Sequence, residues 1–301
     1  MKWRRGGSTP DVIDQRGRRG GGFGRGGGMP IPMGRAGGGL GIVGILVFVA
    51  IQVLGGGGGG GGFGIDQPFG EVGQSPSGEA PIPASQDPDR DLKDFSAYVF
   101  TDAQGRWIEA FQKEGKPYQR AKLVLYRDGV TTRGCGSASS AVGPFYCPGD
   151  QRVYLDLSFY RDMQTQLQAS GDFAWAYVIA HEVGHHVQRQ LGTSAEVDRA
   201  QRDDPDRANE LSVRQELQAD CYAGVWAHEV YRAGQLEDGD IEEAFRASEA
   251  VGDDRLQKQA GREVNPDAFT HGTSEQRRRW FDEGRKAGDP SACDTFGVDE
   301  V

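Results

Sequence analysis

The residues with the clearest capacity for chemistry are His181, Glu182 and His185, in the sequence H-E-V-G-H. On a helix with about 3.6 residues per turn, side chains four positions apart share one face, so both imidazoles can bind one metal ion. Glu182 points about 100° away around that helix and is placed to take a proton from a water. The pattern predicts a zinc site with Glu182 as general base. The alternative is a buried helix whose histidines are satisfied by hydrogen bonds.

A helix from Asp172 to Leu191 is predicted to carry this motif. The stretch is long and apolar on most faces, and Gly192 follows it as a stop signal. We therefore expect a mostly buried helix that holds the two histidines in fixed positions.

A catalytic zinc ion needs a third protein ligand and an open position for water. The metzincin extension would put a histidine six residues after His185, where this chain has Leu191. The glycine that the extension also requires is replaced by Gln188. The metzincin class is therefore excluded, and a carboxylate from a following helix is the other common solution.

Glu216 is the expected third ligand, because it lies on the next strongly predicted helix, from about Pro205 to Arg232. Asp220 follows four residues later on the same face. It is expected to accept the free N–H of a ligating histidine and so to orient the ring. The alternative is a solvated Glu/Asp pair on a helix surface.

Charge and glycine are unevenly distributed along the chain. The net charge is −10, yet residues 1–39 hold eight Lys or Arg against two Asp, a net +6 that leaves −16 for the rest. An acidic main domain repels phosphate, so nucleic-acid binding is not expected. The glycine-rich start has no hydrophobic period, and residues 1–39 are expected to be a disordered basic tail.

An apolar run from Leu40 to Leu54 predicts a single membrane anchor within residues 40–58, with a cleavable signal peptide as the competitor. The basic residues before it predict a cytoplasmic N-terminus and an extracytoplasmic domain. Residues 59–90, rich in Gly and Pro, are expected to be a flexible linker. The folded domain is expected at residues 91–301.

The domain is predicted to be α+β and predominantly helical, with a zincin-like core: the H-E-x-x-H helix, a second ligand-bearing helix and a small sheet. Periodicity predicts strands and further helices, with Thr273 or Ser274 capping the last of them. The predicted strands are residues 121–126 and 152–157. One helix or a pair of helices is predicted at residues 94–115, and further helices at residues 240–258 and 273–286. The strand around Val153 to Leu157 is expected to pair with an extended substrate, as edge strands can.

Four cysteines allow two disulfides, with three possible connectivities, if the domain is extracytoplasmic. We favour Cys135 with Cys147, which closes a loop, and Cys221 with Cys293, which ties the end of the chain to a core helix. Reduced, buried thiols are the alternative.

Five separated motifs resemble the bacterial neutral zinc metallopeptidase family. They are G-C-G-S-A-S-S-A-V-G-P-F-Y-C-P, V-Y-L-D-L-S-F, H-E-V-G-H-H, E-L-Q-A-D-C-Y-A-G-V-W and H-G-T-S-E-Q-R. The resemblance covers residues 90–298 and the basic start with its apolar run. It implies a gluzincin-type arrangement with His181, His185 and Glu216 as ligands and Glu182 as base. It does not imply a particular substrate.

Three histidines lie outside the motif's metal-binding pair. His271, in H-G-T-S-E-Q-R, is a candidate donor to the oxyanion of a tetrahedral intermediate, and Arg277 is a weaker one. A cap or packing role is the alternative for His271. His186 and His228 are expected to pack or to face solvent.

The sequence therefore predicts a membrane-anchored, extracytoplasmic zinc metallopeptidase acting on a peptide or protein. In the alternative, the protein is a non-catalytic zinc-stabilised binding or scaffold protein at the cell envelope. A third possibility is a zinc hydrolase of a non-peptide amide.

Overall fold

The structure is a computed structural model that describes residues 1–5, 9–17, 82–83, 85–139 and 142–301. The predicted anchor at residues 40–58 and most of the predicted linker at residues 59–90 lie outside these ranges. In the described part of the chain, no helix is both long enough and apolar enough to cross a membrane.

Helices dominate the described residues, which confirms the predicted α+β, predominantly helical class. The α-helices are α1 (Arg90–Lys113), α2 (Phe159–Thr165), α3 (Asp172–Leu191), α4 (Thr193–Asp203), α5 (Ala208–Arg232), α6 (Asp240–Ala250), α7 (Asp253–Gln259) and α8 (Ser274–Ala287). The bounds of α3 match the prediction, and Gly192 ends it in the left-handed conformation at φ 91°. Thr273 caps α8 in a capping box with Gln276.

Within the described ranges, the strands form one mixed sheet and one hairpin. They are β1 (Val12–Asp14), β2 (Lys122–Tyr126), β3 (Gly129–Thr131), β4 (Ser137–Ser139), β5 (Phe145–Cys147) and β6 (Arg152–Asp156). The sheet has the order β1-β2-β6-β5, and β3 pairs with β4. Strand β2 runs parallel to β1 and β6, whereas β5 runs antiparallel to β6.

The prediction that the strand at Val153 to Leu157 pairs with substrate is wrong. This strand, β6, lies inside the sheet, with β2 on one side and β5 on the other. Its alternating apolar residues are buried because both faces of the sheet are covered, not because one edge is free. The outer strand nearest to the H-E-x-x-H helix is β5, whose Tyr146 contacts His186 of α3.

The start of the chain also differs from the prediction of a disordered tail at residues 1–39. Val12, Ile13 and Asp14 pair with Leu123, Val124 and Leu125 as strand β1. The sequence did not predict this strand, because V-I-D is too short to show a period-two pattern within a glycine-rich stretch. Its pairing partner also lies more than 100 residues away.

The helix predicted at residues 240–258 is interrupted and forms α6 and α7. Gly252 stands at the break in an extended conformation, with φ −70° and ψ 139°. A Cβ atom there would lie 2.3 Å from the backbone nitrogen of Ser274. The break therefore permits a close approach of the two segments and places Asp253 at the start of α7.

Helix α3 is the centre of the hydrophobic core and packs against α1, α5 and α6. Phe173, Trp175 and Tyr177 near its start are almost fully buried, and Trp175 Nε1–H donates a 2.9 Å hydrogen bond to Ser96 Oγ of α1. Burial of the H-E-x-x-H motif is thus a consequence of burying the whole helix, which agrees with the apolar sequence.

Both favoured disulfides are present in the structure. Cys135 is bonded to Cys147 and Cys221 to Cys293, with sequence separations of 12 and 72 residues. The second bond fixes the C-terminal segment to α5, the helix that carries Glu216 and Asp220.

Candidate metal centre

Helices α3 and α5 bring His181, His185 and Glu216 together, as predicted. Each of the three offers one ligand atom, and these atoms all lie within 4.8 Å of one another. The distance from His181 Nε2 to Glu216 Oε2 is 3.2 Å, and from His185 Nε2 to Glu216 Oε1 it is 3.4 Å. All three side chains are buried.

The close approach of the two helices depends on Gly184, between the histidines. A Cβ atom at this position would lie 3.0 Å from the carbonyl oxygen of Ala219 and 3.4 Å from Tyr222 Cβ, both on α5. A larger residue would push the helices apart. The glycine of H-E-V-G-H therefore sets the spacing between the histidines and Glu216.

Each histidine is oriented by a hydrogen bond at Nδ1. His181 Nδ1–H donates to Asp220 Oδ1 over 2.8 Å, and His185 Nδ1–H donates to Gln188 Oε1 over 2.9 Å. Gln188 is itself held, because its Nε2–H donates to the carbonyl oxygen of Gln215. Both Nε2 atoms are therefore left to bind a metal, the arrangement expected around a protein-bound zinc ion.

Asp220 is fixed by two partners besides His181. Arg277 Nε donates to its Oδ2 over 2.8 Å and Arg277 Nη2 to its Oδ1 over 2.9 Å. The hydroxyl of Tyr177 also donates to Asp220 Oδ1. All four side chains are almost completely buried, so Asp220 carries its charge in a dry environment where Arg277 is the counter-charge.

Helix α8 reaches this position because it crosses α5 at unusually close range. A Cβ atom on Gly224 would lie 2.0 Å from the carbonyl oxygen of Phe281, and one on Gly284 would lie 2.0 Å from that of Cys221. Glycine on both helices allows the backbones to touch. Arg277, near the start of α8, is thereby brought to Asp220.

Protons are distributed unevenly among the ligand residues. Burial would lower the pKa of His181, but Asp220 and Glu216 outweigh it and raise the pKa to about 9. Burial lowers the pKa of His185. For Glu216 burial acts to raise the pKa, and the charges of His185 and His181 reverse this, so its pKa is well below the usual range. Without metal, His181 is thus the residue that holds a proton against the carboxylates.

Glu182 is almost fully buried on α3, next to the candidate ligand His181 in sequence but on another face of the helix. Burial raises its pKa to about 7, the nearby charge of His181 acts against this, and that of Glu216 adds to it. Hydrogen bonding to the backbone of Tyr146 in β5 also favours the ionised form. A carboxylate with a pKa near neutrality can both accept and return a proton at physiological pH.

The donor set fits a zinc ion. Two imidazole nitrogens and one carboxylate are a ligand combination found in catalytic zinc sites. His185 Nε2 is buried and has no hydrogen-bond partner among the described residues, although its other nitrogen is bonded. A buried polar atom without a partner is costly, and a metal at this position would satisfy it.

His271 lies on the loop before α8, close enough for its charge to lower the pKa of Glu216. Asp253 holds the loop, since its Oδ2 accepts the backbone N–H of Thr270, His271 and Gly272. Asp253 Oδ1 lies 3.1 Å from His271 Nδ1. In the part of the chain that the structure describes, the buried Nε2 of His271 has no hydrogen-bond partner. The ring is thus oriented by Asp253 and keeps one nitrogen free.

The other singled-out residues lie away from the ligand atoms or have different partners. His186 contacts Tyr146 Oη and the carbonyl oxygen of Gln119, and His228 Nδ1 donates to the carbonyl oxygen of Arg285. Arg277, considered as a donor to the oxyanion, instead binds Asp220.

Sequence reasoning missed Tyr177, Gln188 and Asp253, and it gave Arg277 a different role. The available signals were weak: Tyr177 is four residues before His181 on one helix face, and Arg277 ends the H-G-T-S-E-Q-R motif. For Asp253 we find no sequence signal, because only the break between α6 and α7 places it beside His271.

Comparison with known proteins agrees with this centre. The chain is 54% identical over 204 residues to the protein YpfJ of Escherichia coli K12, which covers 67% of this chain and 71% of YpfJ. It is 45% identical over 211 residues to Rv2575 of Mycobacterium tuberculosis H37Rv, covering 66% of this chain and 70% of Rv2575. No solved structure matches. A family model described as "Putative neutral zinc metallopeptidase" matches residues 1–296, and the chain belongs to this family.

Proposed function

We propose that this protein is a zinc-dependent peptidase in which His181, His185 and Glu216 hold the metal and Glu182 is the general base. Family membership supports the reaction class. The observation that carries the residue roles is the buried cluster of three ligand atoms within 4.8 Å, with Glu182 beside it on α3.

Zinc, when bound, polarises the scissile carbonyl and lowers the pKa of water, so that hydroxide is available near neutral pH. Glu182 accepts the proton of the attacking water and returns it to the nitrogen of the leaving amine. Asp220 and Gln188 keep the rings of His181 and His185 in position throughout, because their hydrogen bonds fix both Nδ1 atoms.

His271 is proposed to stabilise the oxyanion that forms when the carbonyl is attacked. Its Nε2 can act as the hydrogen-bond donor, and the carboxylate of Asp253 orients the ring from Nδ1. Its buried Nε2, which has no hydrogen-bond partner within the described ranges, supports this role.

Replacing His271 with alanine is expected to lower kcat by about 100-fold, the cost of losing one oxyanion donor. Zinc affinity should stay at the wild-type level, because His271 is not a ligand. The comparison is with His228→Ala, which removes a histidine that binds the carbonyl oxygen of Arg285 instead. Equal kcat values for the two variants, measured per zinc-loaded chain, would exclude the oxyanion role.

The ligand set is tested by zinc binding. Wild type should bind one zinc ion per chain, and Glu216→Gln should weaken binding by more than the roughly 10- to 100-fold caused by loss of an orienting partner. Glu210→Gln is the matched control, since Glu210 is on the same helix but is 42% exposed and pairs with arginines. Wild-type affinity in Glu216→Gln would show that the assigned ligand is wrong.

The alternative is a binding protein in which zinc only stabilises the fold. Structural zinc sites are usually closed by four protein ligands. Among the residues described here, the cluster contains three candidate ligands, which leaves a position for water and favours an enzyme. Zinc binding without hydrolysis of any peptide would favour the alternative.

We also propose that the domain works outside the cytoplasm and that its substrate is a peptide or protein. The pairing of all four cysteines supports an oxidising compartment. Family membership supports the substrate class.

A further inference from the structure

The start of the chain makes contacts with the domain that play no part in the proposed peptidase function. Their described parts pack on the domain, and strand β1 extends the sheet beside β2. The backbone N–H of Leu123 donates to the carbonyl oxygen of Asp11 over 2.7 Å, and that of Gln15 donates to Leu125 over 2.8 Å. The pairing is thus continuous through the whole of β1.

Arg16, just after β1, is the anchor of this segment. Its guanidinium is fully buried and makes hydrogen bonds of 2.9 and 2.6 Å to the two carboxylate oxygens of Asp87, which is also fully buried. Asp14 accepts two further hydrogen bonds from the same guanidinium. A bidentate buried pair of this kind fixes position as well as charge.

Aromatic and ionic contacts hold the rest of the segment. The ring of Trp3 packs edge-on against Phe95 of α1, with 5.4 Å between the ring centroids. Asp11 is almost fully buried, and Lys122 of β2 donates to it over 2.7 Å. The segment is therefore joined to both the sheet and α1.

These contacts involve one of the basic residues whose excess predicts a cytoplasmic N-terminus. Arg16 is neutralised inside the domain by Asp87 and Asp14 and cannot act as a free positive charge at a membrane surface. Moreover, a chain that crossed a bilayer once between residues 17 and 82 would separate β1 from β2 by a membrane about 30 Å thick.

We infer that residues 1–5 and 9–17 are a fixed part of the metallopeptidase domain and lie on the same side of the membrane as the metal centre. If β1 is paired with β2, the chain cannot cross the membrane a single time between residues 17 and 82. The inference concerns the placement of the segment and does not depend on whether the centre hydrolyses peptides.

Thiol labelling of the full chain tests the inference directly. Because all four native cysteines are paired, Pro10→Cys and Tyr231→Cys each provide one free thiol. Pro10 is exposed in the segment and Tyr231 is 69% exposed on the domain, and neither change alters a charge. Spheroplasts of a bacterial host are treated with a membrane-impermeant maleimide, and total thiol is measured after denaturing lysis.

Equal labelled fractions at the two positions, before lysis, are the expected result. Labelling of only one position before lysis would place the two on opposite sides and overturn the inference. A third sample, permeabilised with detergent but not denatured, distinguishes the two causes of protection: a thiol behind the membrane is labelled in it, whereas a thiol hidden by folding is labelled only after denaturation.

A charge exchange tests the docking itself. Arg16→Ala should lower the melting temperature of the full chain by about 10 °C, because it removes the bidentate partner of the buried Asp87 and leaves only the more distant Lys93. The exchange Arg16→Asp with Asp87→Arg should recover part of that loss. Arg5→Ala is the matched control, since Arg5 pairs with Asp91 at the surface and is 64% exposed. An Arg16→Ala melting temperature equal to that of Arg5→Ala would contradict the docked segment.

Discussion

Replacing Glu182 with glutamine is expected to lower kcat for peptide hydrolysis by about 1,000-fold, within the range for loss of a general base. The amide keeps the shape of the side chain but cannot accept the proton of the attacking water. Zinc content should remain at one per chain, because Glu182 is not among the three proposed ligands. The melting temperature should not fall, since a buried neutral amide replaces a carboxylate whose ionised form is disfavoured by burial.

The control for this variant is Glu196→Gln, the same chemical change at an exposed position on α4. It should leave kcat and zinc content unchanged. If Glu182→Gln retained wild-type kcat with zinc bound, another group would have to be the base. If Glu182→Gln lost zinc, the role of Glu182 would be structural and its assignment as the general base would be wrong.

Replacing Arg277 with methionine is expected to reduce the free energy of unfolding by about 3 to 5 kcal/mol, the cost of leaving a buried charge without its partner. The uncompensated charge is that of Asp220, which no solvent reaches. Zinc affinity should also fall by about 10- to 100-fold, because Asp220 orients His181. Denaturant unfolding and zinc titration measure the two effects.

Arg278→Met, at the neighbouring position, separates this effect from a general loss of charge on α8. Arg278 is 53% exposed, pairs with Glu249 and lies over the ring of Phe245. An exposed pair contributes about 0 to 1 kcal/mol, so this variant should remain close to wild type. Equal unfolding free energies for the two variants would show that Arg277 does not stabilise the fold by neutralising Asp220.

The helix of the metal centre was predictable because its signals are local. The apolar stretch, the terminal glycine and the four-residue spacing of His181 and His185 all lie within residues 172–192. Glu216 and Asp220 followed from the need for a third ligand and from their common helix face. The structure brings these residues together, as the sequence predicted.

The remaining parts depend on contacts between distant segments. Tyr177 and Arg277 are 100 residues apart and meet only because α8 crosses α5 at Gly224 and Gly284. Asp253 reaches His271 only because the helix predicted at residues 240–258 breaks at Gly252. No periodicity within one element reports such contacts.

The structure at the start of the chain also depends on contacts with distant segments that the local sequence does not predict. Composition predicted disorder for residues 1–39, since glycine and arginine give no hydrophobic period. Three residues suffice to form β1 because β2 supplies the partner strand, and Arg16 finds a buried carboxylate in Asp87. Short strands of this kind are stabilised by the sheet that they join, not by their own sequence.

The most direct test of the central claim is the hydrolysis of a mixed peptide library by the full-length protein, with new amino termini counted by mass spectrometry. Samples are compared after removal of zinc by a chelator and after its return. We predict that new termini form only with one zinc per chain, disappear with the chelator and reappear with zinc. Full zinc occupancy without any new termini would contradict a peptidase and favour the binding protein.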